Sequence, residues 1–224
     1  MEFTLLWAAL TGVAGLWIGT RLWTESRDES PAESIFDSLL LAAGVGLVGG
    51  RVVAMLAQGL NPITNIGDLL IVRGGVSTVA ATVFAVGALF LTSGRQMKVL
   101  DLAAPAVLLG LAGWHLGCLW RGACLGTASD LPWAWAEAGS SITRHPVEIY
   151  AAIGLALGAI VVSRLPPRIG LRSGTAFALA SGIRLATEPF RLSVTGGPVW
   201  WYAAGVVLGL AWLVVAGVSN RHPT

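Results

Sequence analysis

Apolar residues in this chain come in long blocks separated by short polar breaks, not in strict alternation. Seven blocks stand out: roughly Phe3–Trp23, Ile35–Leu60, Gly74–Thr92, Val99–Trp120, Val147–Val162, Gly174–Phe190 and Val199–Val218. Most approach the ~20 residues that carry a helix across a hydrocarbon core. The alternating strands of about ten residues that build a membrane barrel are absent, so helices are predicted throughout. The pattern predicts an all-α integral membrane protein, with about seven transmembrane helices in one bundle. That bundle is expected to be a single polytopic domain over residues 1–224, with no room for a second.

Composition agrees with the pattern. The chain of 224 residues is 55% apolar and 12% charged, with a mean hydropathy of +0.74. A soluble domain carries about 25% charged residues. The net charge of +2 says little, but its distribution sets an orientation, and no nucleic-acid partner is expected. Arg21 and Arg27 follow the first block, Arg95 and Lys98 the third, Arg164, Arg168 and Arg172 the fifth, and Arg221 the last. Those eight share one side, against Arg73, Arg121, Arg144 and Arg191 on the other. The positive-inside rule then predicts an outside N-terminus and a cytoplasmic C-terminus. Met-Glu-Phe-Thr is not a basic leader, so a cleaved signal peptide is not expected.

Glycine numbers 29, often in pairs four apart: Gly15/Gly19, Gly46/Gly50, Gly113/Gly117, Gly154/Gly158 and Gly205/Gly209. Such pairs let helices approach closely in lipid. Tryptophans near block boundaries, such as Trp7, Trp23, Trp133 and Trp200, suit interface anchoring.

Against this background, polar residues gather at one side. Arg51 lies late in block two, and His115, Cys118 and Arg121 end block four. Arg144, His145 and Glu148 open block five, followed by Tyr150. Arg184, Glu188 and Arg191 close block six. Ionisable groups at membrane depth are costly and usually mark function. Positions 184, 188 and 191 are spaced to share one helix face, so Glu188 pairs with one arginine and leaves the other for an anion. A purely structural ion ladder is the competing reading, and Pro189 is placed to kink or end the helix there. The planar guanidinium fork suits phosphate. His145-Pro146 fits a helix start. Cys118 and Cys124 leave three readings open: buried thiols, a disulfide, or metal ligands together with His115 and His145. No metal or cofactor is expected.

Taken together, these segments resemble the bacterial prolipoprotein diacylglyceryl transferase family. The carrying residues are Gly49 and Arg51; Pro62 with Gly-Gly-Val-Ser from Gly74; Trp114–Leu119 with Gly122, Gly126 and Ser-Asp-Leu-Pro-Trp at 129–133; Arg144, His145, Pro146 and Tyr150; and Arg184, Glu188 and Arg191. They occur in the family's order over most of the chain. Some positions differ. Val79 stands where the family has a histidine, His115 where it has an arginine, Cys118 and Arg121 where it has asparagines, and Ala123 where it has a glutamate.

The resemblance implies transfer of a diacylglyceryl group from a phosphatidylglycerol-like phospholipid to a lipoprotein-precursor thiol, at the outer face of the bacterial inner membrane. Catalytic candidates are then Arg191, Arg184, Glu188, His145 and His115. Substrate-binding candidates are Arg51, Arg121, Arg144 and Tyr150, with Arg51, Arg184 and Arg191 expected to line one outward cavity. Two other readings stay open: a catalytically inactive paralogue serving as a subunit of a membrane complex, and a lipid- or pigment-binding membrane protein.

Overall fold

The computed structural model describes residues 4–23, 32–70, 75–92, 97–120, 124–137, 139–166, 168–192 and 198–219. Among residues singled out above, Arg27, Arg73, Gly74, Arg95, Arg121, Gly122, Ala123 and Arg221 lie outside the described residues. Eight α-helices are described: α1 (Thr4–Trp23), α2 (Ala32–Ala57), α3 (Ile66–Leu70), α4 (Thr78–Thr92), α5 (Met97–Leu116), α6 (Val147–Arg164), α7 (Leu171–Thr187) and α8 (Val199–Ser219). Turns of 3-10 helix follow α5 at Gly117–Trp120 and α7 at Glu188–Phe190. Two short strands, β1 (Trp135–Ala136) and β2 (Thr143–Arg144), pair antiparallel in the connection from α5 to α6.

Each apolar block falls on one long helix, and the short α3 is an addition in the polar break after α2. Among the described residues four stretches are long and apolar enough to cross a membrane: Ser34–Ala57, Met97–Leu119, Val147–Arg164 and Val199–Val218. Helix α4 is a shorter apolar helix. The architecture is that of an integral membrane helical protein.

Small residues set the packing. A Cβ on Gly19 would sit 2.6 Å from Ala106, and one on Gly117 would overlap Ala8. Helices α1 and α5 therefore run antiparallel at backbone contact. Gly46 and Gly50 of α2 admit Ala85 and Ala81 of α4, and Gly205 and Gly209 of α8 admit Ser181 and Ala178 of α7. Helix α5 is central. Its Ala104, Leu108 and Ala112 pack with Leu155, Ala159 and Val162 of α6 and Ala176 of α7. Its Ala103 and Ala106 pack with Leu16 of α1 and with Ile35 and Leu39 of α2.

This up-and-down order puts the end of α5, the start of α6 and the end of α7 at one end of the bundle. At the other end Asp101 is buried. Its Oδ2 accepts the Gly170 N–H at 2.7 Å, and Oδ1 accepts the Ser173 N–H and Oγ–H, each at 2.8 Å. A carboxylate on α5 thus caps the open N–H groups of α7. Gly170 has φ +80°, the left-handed conformation that glycine adopts without strain. Arg172, counted by sequence among loop cations, is instead 2% exposed. It donates to the Leu165 carbonyl through Nε at 3.0 Å and Nη2 at 2.5 Å, and to the Ser163 carbonyl at 3.1 Å.

Candidate functional site

The connection from α5 to α6 folds over the first end of the bundle. The Cys118–Cys124 disulfide closes its beginning, which selects one of the three readings of these cysteines. Ser129 and Thr143 bond across the connection: Ser129 N–H donates to the Thr143 carbonyl at 2.9 Å, and Thr143 Oγ1 donates to the Ser129 carbonyl at 2.7 Å. Thr127 N–H donates to the Phe190 carbonyl at 2.8 Å, pinning the loop to the end of α7. A Cβ on Gly126 would overlap that same carbonyl, so only glycine permits the approach.

Helix α7 ends at Thr187, and Pro189 lies inside the 3-10 turn that follows. Arg191 leaves the turn in extended conformation, with φ −81° and ψ +147°. The single helix face expected for 184, 188 and 191 is therefore broken after Glu188. Proline lacks an N–H and its ring clashes with continued α-helix, which is the physical reason. Glu188 remains beside Arg184, with Nη2 and Oε2 3.7 Å apart, longer than a hydrogen bond. Arg191 pairs instead with Glu148 in the first turn of α6, Nη2 to Oε1 at 2.7 Å. The other oxygen of Glu148 lies 2.5 Å from His115 Nδ1 at the end of α5. One carboxylate thus joins three elements.

Arg184 also donates to the Tyr202 hydroxyl of α8 at 3.3 Å and lies over that ring, 5.4 Å from its centroid. Among the described residues its Nη1 is buried with no hydrogen-bond partner, as is Glu188 Oε2. Buried polar atoms left open in this way are costly and rare. Both atoms would be satisfied by a ligand bearing a phosphate and a proton donor, the chemistry of a phosphoglycerol headgroup.

The other sequence candidates lie around this group or apart from it. His145 Nδ1 is 3.4 Å from the Tyr150 hydroxyl, which accepts from Trp133 Nε1 at 2.9 Å. The His145 ring packs on Phe190, with centroids 4.9 Å apart. Arg144 donates to the Gly126 carbonyl at 3.2 Å inside the folded connection. Arg51 is 2% exposed and engages backbone: Nε and Nη2 donate to the Asp68 carbonyl and Nη1 to the Gly75 carbonyl. These bonds run to the segment between α2 and α4. An apolar groove of about 680 Å³ lies elsewhere, between α2 and α4, lined by Val45, Val48 and Phe84. Arg121 lies outside the described residues.

Two contributors were underweighted by sequence. Glu148 looked like one acid at a helix start, and Tyr202 was passed over. The available signals were weak: Glu148 is an acid in an apolar block, and Tyr202 is one of two tyrosines in the chain.

Comparison with known proteins bears out the family resemblance. The profile of the prolipoprotein diacylglyceryl transferase family matches residues 3–219. A phosphatidylglycerol–prolipoprotein diacylglyceryl transferase of Methylibium petroleiphilum is 36% identical over 160 residues, 66% of this chain and 59% of that protein. One from Cupriavidus necator is 34% identical over 98 residues, 41% of this chain and 36% of that protein. One from Pseudomonas paraeruginosa is 28% identical over 226 residues, 94% of this chain and 84% of that protein. In the first two the match spans less than two thirds of the relative's own length. With its profile matched from end to end of the bundle, the chain belongs to the prolipoprotein diacylglyceryl transferase family.

Proposed function

We propose that this protein transfers the diacylglyceryl group of a phosphatidylglycerol-like lipid to the cysteine thiol of a lipoprotein precursor. The single observation that carries the reading is the convergence of Arg184, Arg191 and His115 at one end of the bundle, with Arg184 Nη1 buried and open. The reaction needs a base and an anion hold. A histidine takes the thiol proton, because the thiolate is the nucleophile. The sulfur attacks the glyceryl carbon, the carbon–oxygen bond breaks, and its electron pair stays on the phosphate oxygen. A thioether forms and glycerol phosphate leaves. Arg184 and Arg191 meet the charge that builds on that phosphate. Glu188 keeps Arg184 in place, and Arg144 and Tyr150 shape the loop over the lipid. Arg51 acts at a distance, by holding the segment before α4.

All seven long helices cross the bacterial inner membrane in this reading, as one polytopic unit with the N-terminus outside and the C-terminus cytoplasmic. The arginine distribution supports it. So does the disulfide at the site end, since such bonds persist on the oxidising side. The direct test is lipidation of a cysteine-bearing precursor by the purified protein in phosphatidylglycerol vesicles, read as thioether product and released glycerol phosphate. Transfer that is lost in Arg184→Ala supports the reading. A well-folded wild type that makes no product overturns it.

A further inference from the structure

The two histidines at the site end have different partners. His145 faces a neutral hydroxyl, that of Tyr150, and its ring is laid on Phe190. His115 faces a carboxylate, Glu148, at 2.5 Å. An ionised carboxylate only accepts hydrogen bonds, so the proton in that contact belongs to Nδ1 of the imidazole. For the neutral imidazole this contact sets the tautomer. Nε2 keeps its lone pair, and it has no partner among the described residues. An imidazole with a carboxylate behind one nitrogen and an open lone pair on the other is the arrangement that general bases use.

Two further features hold the pair. The Glu148 N–H donates to the Cys124 carbonyl at 3.3 Å, and Cys124 is bonded to Cys118, three residues beyond His115. The disulfide therefore straps the end of α5 to the start of α6, where the two partners sit. The second Glu148 oxygen is 2.7 Å from Arg191 Nη2, so the carboxylate that orients the imidazole also orients an arginine. Both Glu148 and His115 are about nine-tenths buried, whereas Arg191 is 30% exposed and reaches the surface. Arg184 and Glu188 are further charged groups at this end of α7.

We propose that Glu148 is the positioning residue of this site. It holds the Nδ1 proton of His115 so that Nε2 serves as the base, and with its other oxygen it sets Arg191 for the phosphate. The inference rests on the transferase reading above and selects His115 over His145. The thiol proton passes to Nε2, giving an imidazolium that Glu148 stabilises. The thiolate displaces the phosphate oxygen from the glyceryl carbon, and the imidazolium returns its proton to the departing phosphate monoester. Base and anion hold are thereby coupled through one side chain.

The test uses the full chain in phosphatidylglycerol vesicles with a cysteine-bearing precursor peptide. Glu148→Gln is expected to lower kcat about 100-fold, and His115→Asn by a similar factor. Combined, the two should cost no more than about threefold beyond the worse single change, because Glu148 acts through His115. Losses that multiply overturn the proposal, as does an unchanged kcat in Glu148→Gln. A second readout needs no turnover: ¹⁵N spectra of histidine-labelled protein should show the His115 proton on Nδ1 in the wild type and a mixed tautomer in Glu148→Gln. A wild-type proton on Nε2 overturns the proposal. If Glu148→Gln does not fold, His115→Asn and Arg191→Lys replace it, with a combined loss below the product expected and the full product overturning. A wild type that makes no thioether removes the transferase reading and the base role. The tautomer then still decides whether Glu148 orients His115, so the two failures are distinguishable.

Discussion

The two ends of α7 carry the same kinds of buried charge and treat them in opposite ways. At its N-terminal end Asp101 receives three donors and Arg172 covers two carbonyls, all within 3.1 Å. At its C-terminal end Arg184 and Glu188 stand 3.7 Å apart, and among the described residues each keeps a buried polar atom open. A fully satisfied polar network rigidifies a core, while an unsatisfied buried group costs free energy for as long as it waits. The first arrangement fastens α5, α6 and α7 together. The second leaves Arg184 Nη1 and Glu188 Oε2 open among the described residues, where the proposed function puts the lipid phosphate. Burial by itself therefore does not identify a site, whereas the state of the hydrogen bonds does.

Substitutions at both ends can break this comparison. The largest effect is expected from Arg184→Ala, a fall in transfer rate of about 10²–10³-fold, the usual range for losing a charge-stabilising donor. Its melting temperature in detergent should change little, because the lost partners were poorly met. A large fall in melting with normal turnover per folded molecule would make Arg184 structural. Asp101→Ala should do the reverse. Leaving the Gly170 and Ser173 donors unpaired is expected to cost about 3 kcal/mol of stability, with Asp101→Asn losing roughly half of that. Thermal unfolding with turnover corrected for folded protein checks both.

The strap gives a smaller effect. Opening the Cys118–Cys124 bond by Cys118→Ser with Cys124→Ser should cost about 2 kcal/mol, the entropy of so short a closed loop. It should also slow transfer by loosening Glu148 from His115. Maleimide labelling of unfolded protein before and after reduction establishes whether the bond is present. The smallest change is expected for Tyr202→Phe. It removes one 3.3 Å hydrogen bond to Arg184 and keeps the ring beneath the guanidinium, so lipid KM should rise by about threefold with kcat nearly unchanged. A larger loss in kcat would show that the hydroxyl, rather than the ring, sets the arginine.

Much of the fold was legible because its signals are local. The long apolar blocks mark the helices, and paired glycines such as Gly15/Gly19 and Gly205/Gly209 mark the faces that touch. The Arg184–Glu188 neighbourhood was legible for the same reason, since four residues is one helical turn. Pro189 flagged where that regularity stops, although the course of Arg191 beyond it could not be read from spacing.

What the amino-acid order determined by itself is helical, membrane-type character, motif order and the side on which charges gather, all of which depend on neighbours in the chain. The tertiary structure alone decided which charges meet. His115 and Glu148 are 33 residues apart, and they touch because α5 and α6 pack antiparallel beneath a folded connection. Arg172 looked like an ordinary loop cation until the fold brought it the Ser163 and Leu165 carbonyls at the end of α6. Arg51 was singled out by its depth in block two, but its two backbone carbonyl partners come only from the fold of the segment before α4. The physical reason is common to all three: a charge in an apolar bundle takes its role from the groups that satisfy it, and those groups come from other helices.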